Sequence, residues 1–158
     1  METPRDTLTK SDRKSVLFLC TGNYYRSRYA EIFFNWTAQE RGLDWRADSR
    51  GLQPDPRNPG PISRHTLAGL LRFAIPIDDH PRFPLAVTDE DFHKAHHIVA
   101  VKEAEHRPLL QQKFPAWLEH VEFWQVHDLD CAGPDEALPA LELQVMQLME
   151  RLDRKDEE

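Results

Sequence analysis

The chain has 158 residues, with 20 Lys+Arg, 27 Asp+Glu and two Cys, a length that suits one compact domain. A net charge of −7 argues against a general nucleic-acid binder, whose phosphate partner demands a cationic face, and two Cys exclude a disulfide scaffold. No run of about 18 apolar residues is present to span a membrane, and the polar first residues lack the apolar stretch of a secretory signal, so a cytoplasmic, reducing setting is expected.

Residues 1–14 read as a disordered arm, with the domain over 15–152 and a charged tail over 153–158. Ser15–Cys20 (SVLFLC) is a short unbroken apolar run, the pattern of a strand buried in a parallel sheet. Thr21-Gly22-Asn23 breaks it. From Ser27 the period changes: Ala30, Phe33, Phe34, Thr37 and Ala38 share one helical face, and Gly42 stands where a C-terminal cap belongs. Trp45–Ser49 reads as a second strand ended by Gly51. Residues 52–62 hold Pro54, Pro56, Pro59 and Pro61, which argue for an extended loop. Ser63–Phe73 reads as a short helix with Ser63 as N-cap, and 74–90 as a proline-broken loop. Ile98–Val101 is a third strand, Glu103–Phe114 a helix interrupted or started by Pro108, and Val121–Val126 a fourth strand. Leu138, Leu141, Val145, Leu148 and Leu152 step by three and four along a closing helix. Alternating strands and helices favour an α/β fold, a single domain with a parallel sheet flanked by helices on both faces.

Charge is uneven along the chain. Residues 1–75 carry 12 Lys+Arg against 8 Asp+Glu, a net of +4, and the remainder carries 8 against 19, a net of −11. Such asymmetry is also what plain solvated surface gives; if the chain handles an anion, the first half is the place to look. The segment that fits is Cys20-Thr21-Gly22-Asn23-Tyr24-Tyr25-Arg26-Ser27. The Cys ends a buried strand, a short loop with Gly and Asn follows, and the Arg opens a helix. In open α/β sheets ligands bind beyond the carboxyl ends of the strands. A loop curling into a helix N-terminus aims several backbone N–H groups at one point, where the helix dipole adds positive potential. Arg26 adds a planar fork for two phosphoryl oxygens. The same field favours the thiolate of Cys20 as a nucleophile, and Ser27 can donate a hydrogen bond to it. Gly22 permits close backbone approach, and Asn23 tolerates left-handed dihedrals.

These residues resemble the signature of the low-molecular-weight protein tyrosine phosphatases, roughly C-x-G-N-x-C-R-S-P-x-A-E, here Cys20 to Glu31. Asp48-Ser49-Arg50-Gly51 stands where the family has an S-A-G turn. Trp124-Gln125-Val126-His127-Asp128-Leu129 resembles its W-x-V-x-D-P segment. The resemblance covers about residues 15–152. It implies a four-stranded parallel sheet and hydrolysis of a phosphotyrosine protein or small aryl phosphate through a phosphocysteine, with inorganic phosphate as product or inhibitor. No cofactor, metal, nucleic acid or membrane is implied. Catalytic roles fall to Cys20, Arg26 and Asp128, the last as general acid. Thr21, Gly22, Asn23, Tyr24, Tyr25 and Ser27 would bind substrate.

The sequence departs from that pattern in four places. Tyr25 replaces the second signature Cys, so a neighbouring resolving thiol is missing unless Cys131 folds close to Cys20. Arg28 replaces the helix-starting proline. Asp128 is followed by Leu129 rather than Pro, then by Asp130, so the two carboxylates compete for the role of acid. The aromatic residues that usually follow the acid are missing, and Tyr24 or Tyr25 would supply a wall instead. Val101-Lys102 stands where the family has Met-Asp; Lys102 cannot accept from Arg26 and is expected to repel it. Two rivals share the fold: a thiol-dependent arsenate reductase, and a non-catalytic or weakly catalytic module binding an oxyanion or phosphoprotein. His93, His96 and His97 lack the pattern of a metal site and read as edge or surface histidines.

Overall fold

The computed structural model describes residues 14–157. The arm expected over 1–14 lies outside them, except for Lys14, which opens the first strand. The order is β1 (Lys14–Cys20), α1 (Arg26–Arg41), β2 (Trp45–Gly51), α2 (Arg64–Leu71), α3 (Asp89–Lys94), β3 (His97–Ala100), α4 (Glu103–Lys113), a 3₁₀ helix (Pro115–His120), β4 (Val121–Phe123) and α5 (Pro134–Glu157). The strands form one four-stranded sheet in the order β2-β1-β3-β4, and every pair is parallel.

The apolar run of β1 reads as it does because both of its faces are covered. Val16, Phe18 and Cys20 join the cluster that holds Phe33 and Phe34 of α1 and Leu141, Val145 and Leu148 of α5. Leu17 and Leu19 join the opposite cluster with Phe92 of α3 and Leu110 of α4. Burying one such side chain contributes about 2 kcal/mol before entropy is counted. Gly42 caps α1 with a left-handed φ of 68°, and the Ser63 hydroxyl caps α2 by accepting from the His65 N–H.

Several boundaries differ from the sequence reading: β4, read as Val121–Val126, ends at Phe123, and the 3₁₀ helix Pro115–His120 was not foreseen. Residues 89–94 form α3, of which 89–90 fell in the expected loop and 91–94 had no assignment; it is held by a reciprocal cap between Thr88 and Asp91. Pro108 neither starts nor breaks α4, which runs through it. The helix α5 continues past 152 to Glu157, where a tail was expected.

After β4 the chain still follows β3. The Trp124 N–H donates to Ala100 O at 2.9 Å and the Val126 N–H to Val101 O at 2.7 Å. This carries the segment that ends in Asp128 to the carboxyl edge of the sheet, where β1 ends in Cys20. Among the described residues, no helix is long and apolar enough to cross a membrane.

Candidate active site

Cys20 ends β1, and after five intervening residues α1 begins at Arg26 with no side chain capping it. The loop between them is organised by Asn23, which is fully buried and left-handed at φ 54°. Its Oδ1 accepts from the Leu85 N–H and from Arg82 Nη1, both at 3.0 Å. Those groups can only donate, which fixes the orientation of the amide. Nδ2 therefore donates, to Ser27 Oγ and to Ser49 Oγ, each at 2.9 Å. With its lone pair so used, Ser27 can turn its own proton to Cys20 Sγ, 2.9 Å away. The Asn23 N–H reaches the same sulfur at 3.2 Å. Cys20 is buried and thus sits in a cage of donors.

Arg82, half-buried, was missed in the sequence. It braces the loop from below, bonding Ser49 O at 2.9 Å and pairing with Glu31 at 3.3 Å. Burial pushes the Glu31 carboxyl upward, against the pull of Ser49 and Arg82. Arg28 does not present its charge to a ligand. It is buried, and its Nη groups bond Pro61 O at 2.9 Å and Arg82 O at 2.8 Å, tying together two proline-rich loops. Burial and the Arg82 charge bring it down to about 10.

The steric demand for glycine falls at Gly51 rather than at Gly22. A Cβ on Gly22 would meet Asn58 at an ordinary 3.6 Å, whereas one on Gly51 would lie 2.8 Å from Thr21 O. The backbone of β2 thus touches the loop between β1 and α1 directly, at the glycine that the sequence marked as a strand end and as part of the Asp48–Gly51 turn.

Arg26 is buried to 2 % exposure. Nη1 donates to Val126 O at 3.0 Å. Nη2 donates to Glu105 Oε2 at 2.7 Å and lies 3.5 Å from Asp128 Oδ2. The repulsion expected from Lys102 does not arise, because Lys102 turns its Nζ to Cys131 Sγ, 3.6 Å away. The acid that meets Arg26 stands one helical turn further on. Glu105 also accepts from the Thr21 hydroxyl, and His106 Nε2 lies 3.1 Å away. Burial alone would raise the Glu105 carboxyl, but the bonds from His106, Arg26 and Thr21 outweigh it and hold it well below the usual range. His106 is fully buried, which pushes its imidazole down in spite of Glu105.

Of the two candidate acids, Asp128 is half-buried and faces Arg26, while Asp130 is exposed at the turn beyond it. Tyr25 does not stand open as a wall. Its ring is buried in the core, 6.0 Å from the ring of His65, and its hydroxyl has no hydrogen-bond partner among the described residues. Burial first, then the Asp128 charge, pushes its phenol up to about 12. Tyr24 is the partly exposed one, its hydroxyl bonded to Pro59 O at 2.5 Å. Cys131 is exposed. The three histidines diverge: His93 pairs with Asp89, His97 pairs with Glu122, and His96 accepts from the Ser15 N–H.

Comparison with known proteins bears on the family and the fold. The family model for low molecular weight phosphotyrosine protein phosphatase matches residues 15–158. A low molecular weight phosphotyrosine protein phosphatase from Dictyostelium discoideum is 36 % identical over 110 residues, 59 % of this chain and 58 % of that protein. An arsenate reductase from Bacillus licheniformis is 34 % identical over 58 residues, 37 % of this chain and 40 % of that one. The chain thus spans under two thirds of the curated relatives it matches. The crystal structure of YfkJ from Bacillus subtilis superposes with a TM-score of 0.80 at 24 % identity, covering 93 % of this chain and 99 % of that one.

Proposed function

Because the chain belongs to the low molecular weight phosphotyrosine protein phosphatase family, we propose that it hydrolyses phosphotyrosine or a related aryl phosphate through a phosphocysteine on Cys20. The observation that carries the reading is a convergence. A sulfur surrounded by donors stands beside a buried Arg26, whose Nη2 lies 3.5 Å from the Asp128 carboxylate.

In the first step the Cys20 thiolate attacks phosphorus. The S–P bond forms as the bond to the phenolate oxygen breaks, and Asp128 gives that oxygen its proton. Arg26 and the loop amides other than that of Asn23, which faces the sulfur, hold the equatorial oxygens while charge redistributes over them. In the second step water attacks phosphorus and Asp128 takes its proton. The S–P bond breaks and inorganic phosphate leaves. The hydrogen bonds from Ser27 and Asn23 stabilise the sulfur as it departs with the electron pair. The test is hydrolysis of p-nitrophenyl phosphate by wild type and Cys20→Ala. Loss of at least about a thousandfold is expected for removal of a covalent nucleophile, and retained activity overturns the reading. No hydrolysis by either, with phosphate bound in calorimetry, marks an oxyanion-binding module instead.

The Bacillus licheniformis relative favours a second reading, thiol-coupled arsenate reduction. That chemistry needs resolving thiols, and Cys131 is the one Cys available besides Cys20. A thioredoxin-coupled assay with arsenate, in wild type and Cys131→Ser, separates the two reactions.

A further inference from the structure

We propose that Glu105 is a positioning residue: it occupies the Arg26 nitrogen that also reaches Asp128, and so leaves Asp128 free to trade its proton. The inference rests on the roles given above to Cys20, Arg26 and Asp128.

Two carboxylates face one guanidinium nitrogen. Nη2 is 2.7 Å from Glu105 Oε2 and 3.5 Å from Asp128 Oδ2. The nearer acid is itself held in place. Its Oε2 receives the Thr21 hydroxyl, and His106 Nε2 lies 3.1 Å away. The Lys102 N–H donates to His106 Nδ1 at 3.1 Å, so the ring proton is on Nε2 and points to Glu105 and to Thr21 Oγ1, 3.2 Å off. One carboxylate oxygen thus gathers the substrate-gripping arginine, the residue after the nucleophile and a fully buried imidazole.

Arg26 is buried and cannot turn to water for a replacement partner. If Glu105 loses its charge, the remaining carboxylate within reach is Asp128, and a buried charge left without its partner is strongly unfavourable. The Arg26–Asp128 pair should then close. An acid so held stays ionised and fails to protonate a leaving group, and the guanidinium is pulled from the phosphate.

This makes a prediction that general loosening of the fold would not. In Glu105→Gln, calorimetry should find phosphate bound about 10-fold more weakly, the scale of one lost charge-assisted bond. The kcat/KM for p-nitrophenyl phosphate should fall by about 10- to 100-fold, and that for phenyl phosphate by about 10-fold more, because only the poorer leaving group depends on the acid. Glu103→Gln removes a carboxylate from the same turn, but one that pairs with Arg107 at 2.7 Å. It should leave all three values unchanged. Glu105→Gln behaving like Glu103→Gln, or losing both substrates equally, overturns the proposal. Where Glu105→Gln does not fold, Thr21→Ala removes one of the donors that aim Glu105. It should show the same leaving-group bias at smaller size, and equal losses again overturn the idea. If Cys20→Ala leaves hydrolysis intact, the parent reading fails, yet the calorimetric arm still decides: unchanged phosphate affinity in Glu105→Gln rejects the positioning role.

Discussion

Replacing Asn23 should unlock the loop between β1 and α1, and the structure sets the size of the effect. Asn23→Ala removes bonds to Ser27, Ser49, Arg82 and the Leu85 N–H. Neutral bonds contribute about 1 kcal/mol each and the charge-assisted one about 1.5 kcal/mol. Alanine at φ 54° adds about 1 kcal/mol of strain. Ser49 keeps Glu31 and Arg82 as partners, which returns part of the loss. The net is about 4 kcal/mol, a large share of the roughly 5–15 kcal/mol that holds a domain folded. In a chain of this size it should lower Tm by about 8–16 °C. Asn23→Gly keeps the dihedral and should recover about 1 kcal/mol of that. Asn23→Asp keeps the acceptor for Arg82 and Leu85 but brings a second negative oxygen toward Ser27. It should therefore lose more kcat/KM than stability. Circular-dichroism melts beside p-nitrophenyl phosphate kinetics read both quantities. If Asn23→Ala melts within about 3 °C of wild type, a change under about 1 kcal/mol, and keeps its activity, Asn23 is not the hub of the loop.

Gly51→Ala should push the Thr21 carbonyl away from its 2.8 Å approach, costing about 1–3 kcal/mol of overpacking. The displaced loop should lower kcat/KM by about 10- to 100-fold, measured on the purified variant. Asp128→Asn should abolish the advantage of acid catalysis, about 100-fold or more on phenyl phosphate, while Asp130→Asn stays within about twofold; the reverse ranking would move the acid to Asp130. Stability should fall in acid in two stages. His106 is held below its ordinary 6.5 when folded, so the unfolded chain takes up that proton first and stability drops as pH falls below about 6.5. Glu105 is held below its ordinary 4.5, so its contribution is complete above that value and is lost as pH falls further. Melts of Glu105→Gln from pH 7 to 3 should be flatter at the acid end than those of wild type.

The sheet and the strand–loop–helix unit were legible because their signals are local. The run Ser15–Cys20 could be satisfied only by burial on two faces, and the period change at Ser27 marked the helix. The helix α3 was hidden by prolines on its N-terminal side, although Thr88 and Asp91 carried the spacing of a reciprocal cap. The expectation of repulsion by Lys102 failed because it treated one position as fixed. The backbone turns into α4 at that point, which sends Lys102 toward Cys131 and brings Glu105 over Arg26. Acids in the first turn of a helix that follows a strand at the carboxyl edge were the available signal. Arg82 lay in a loop far from the signature, and only tertiary folding joins it to Asn23. Tyr24 and Tyr25 stood as equal alternatives for a wall because adjacent tyrosines look alike in sequence, while the turn into α1 buries Tyr25 and leaves Tyr24 partly exposed.

The central claim is a covalent phosphoryl group on Cys20. Asp128→Ala should slow release of that group, so the variant quenched in acid during turnover of p-nitrophenyl phosphate should yield a Cys20 peptide heavier by one phosphoryl group in mass spectrometry. The account predicts that adduct on Cys20, with none formed in Cys20→Ala. Steady hydrolysis with Cys20 unmodified, or an adduct on any other residue of a still-active enzyme, would contradict it.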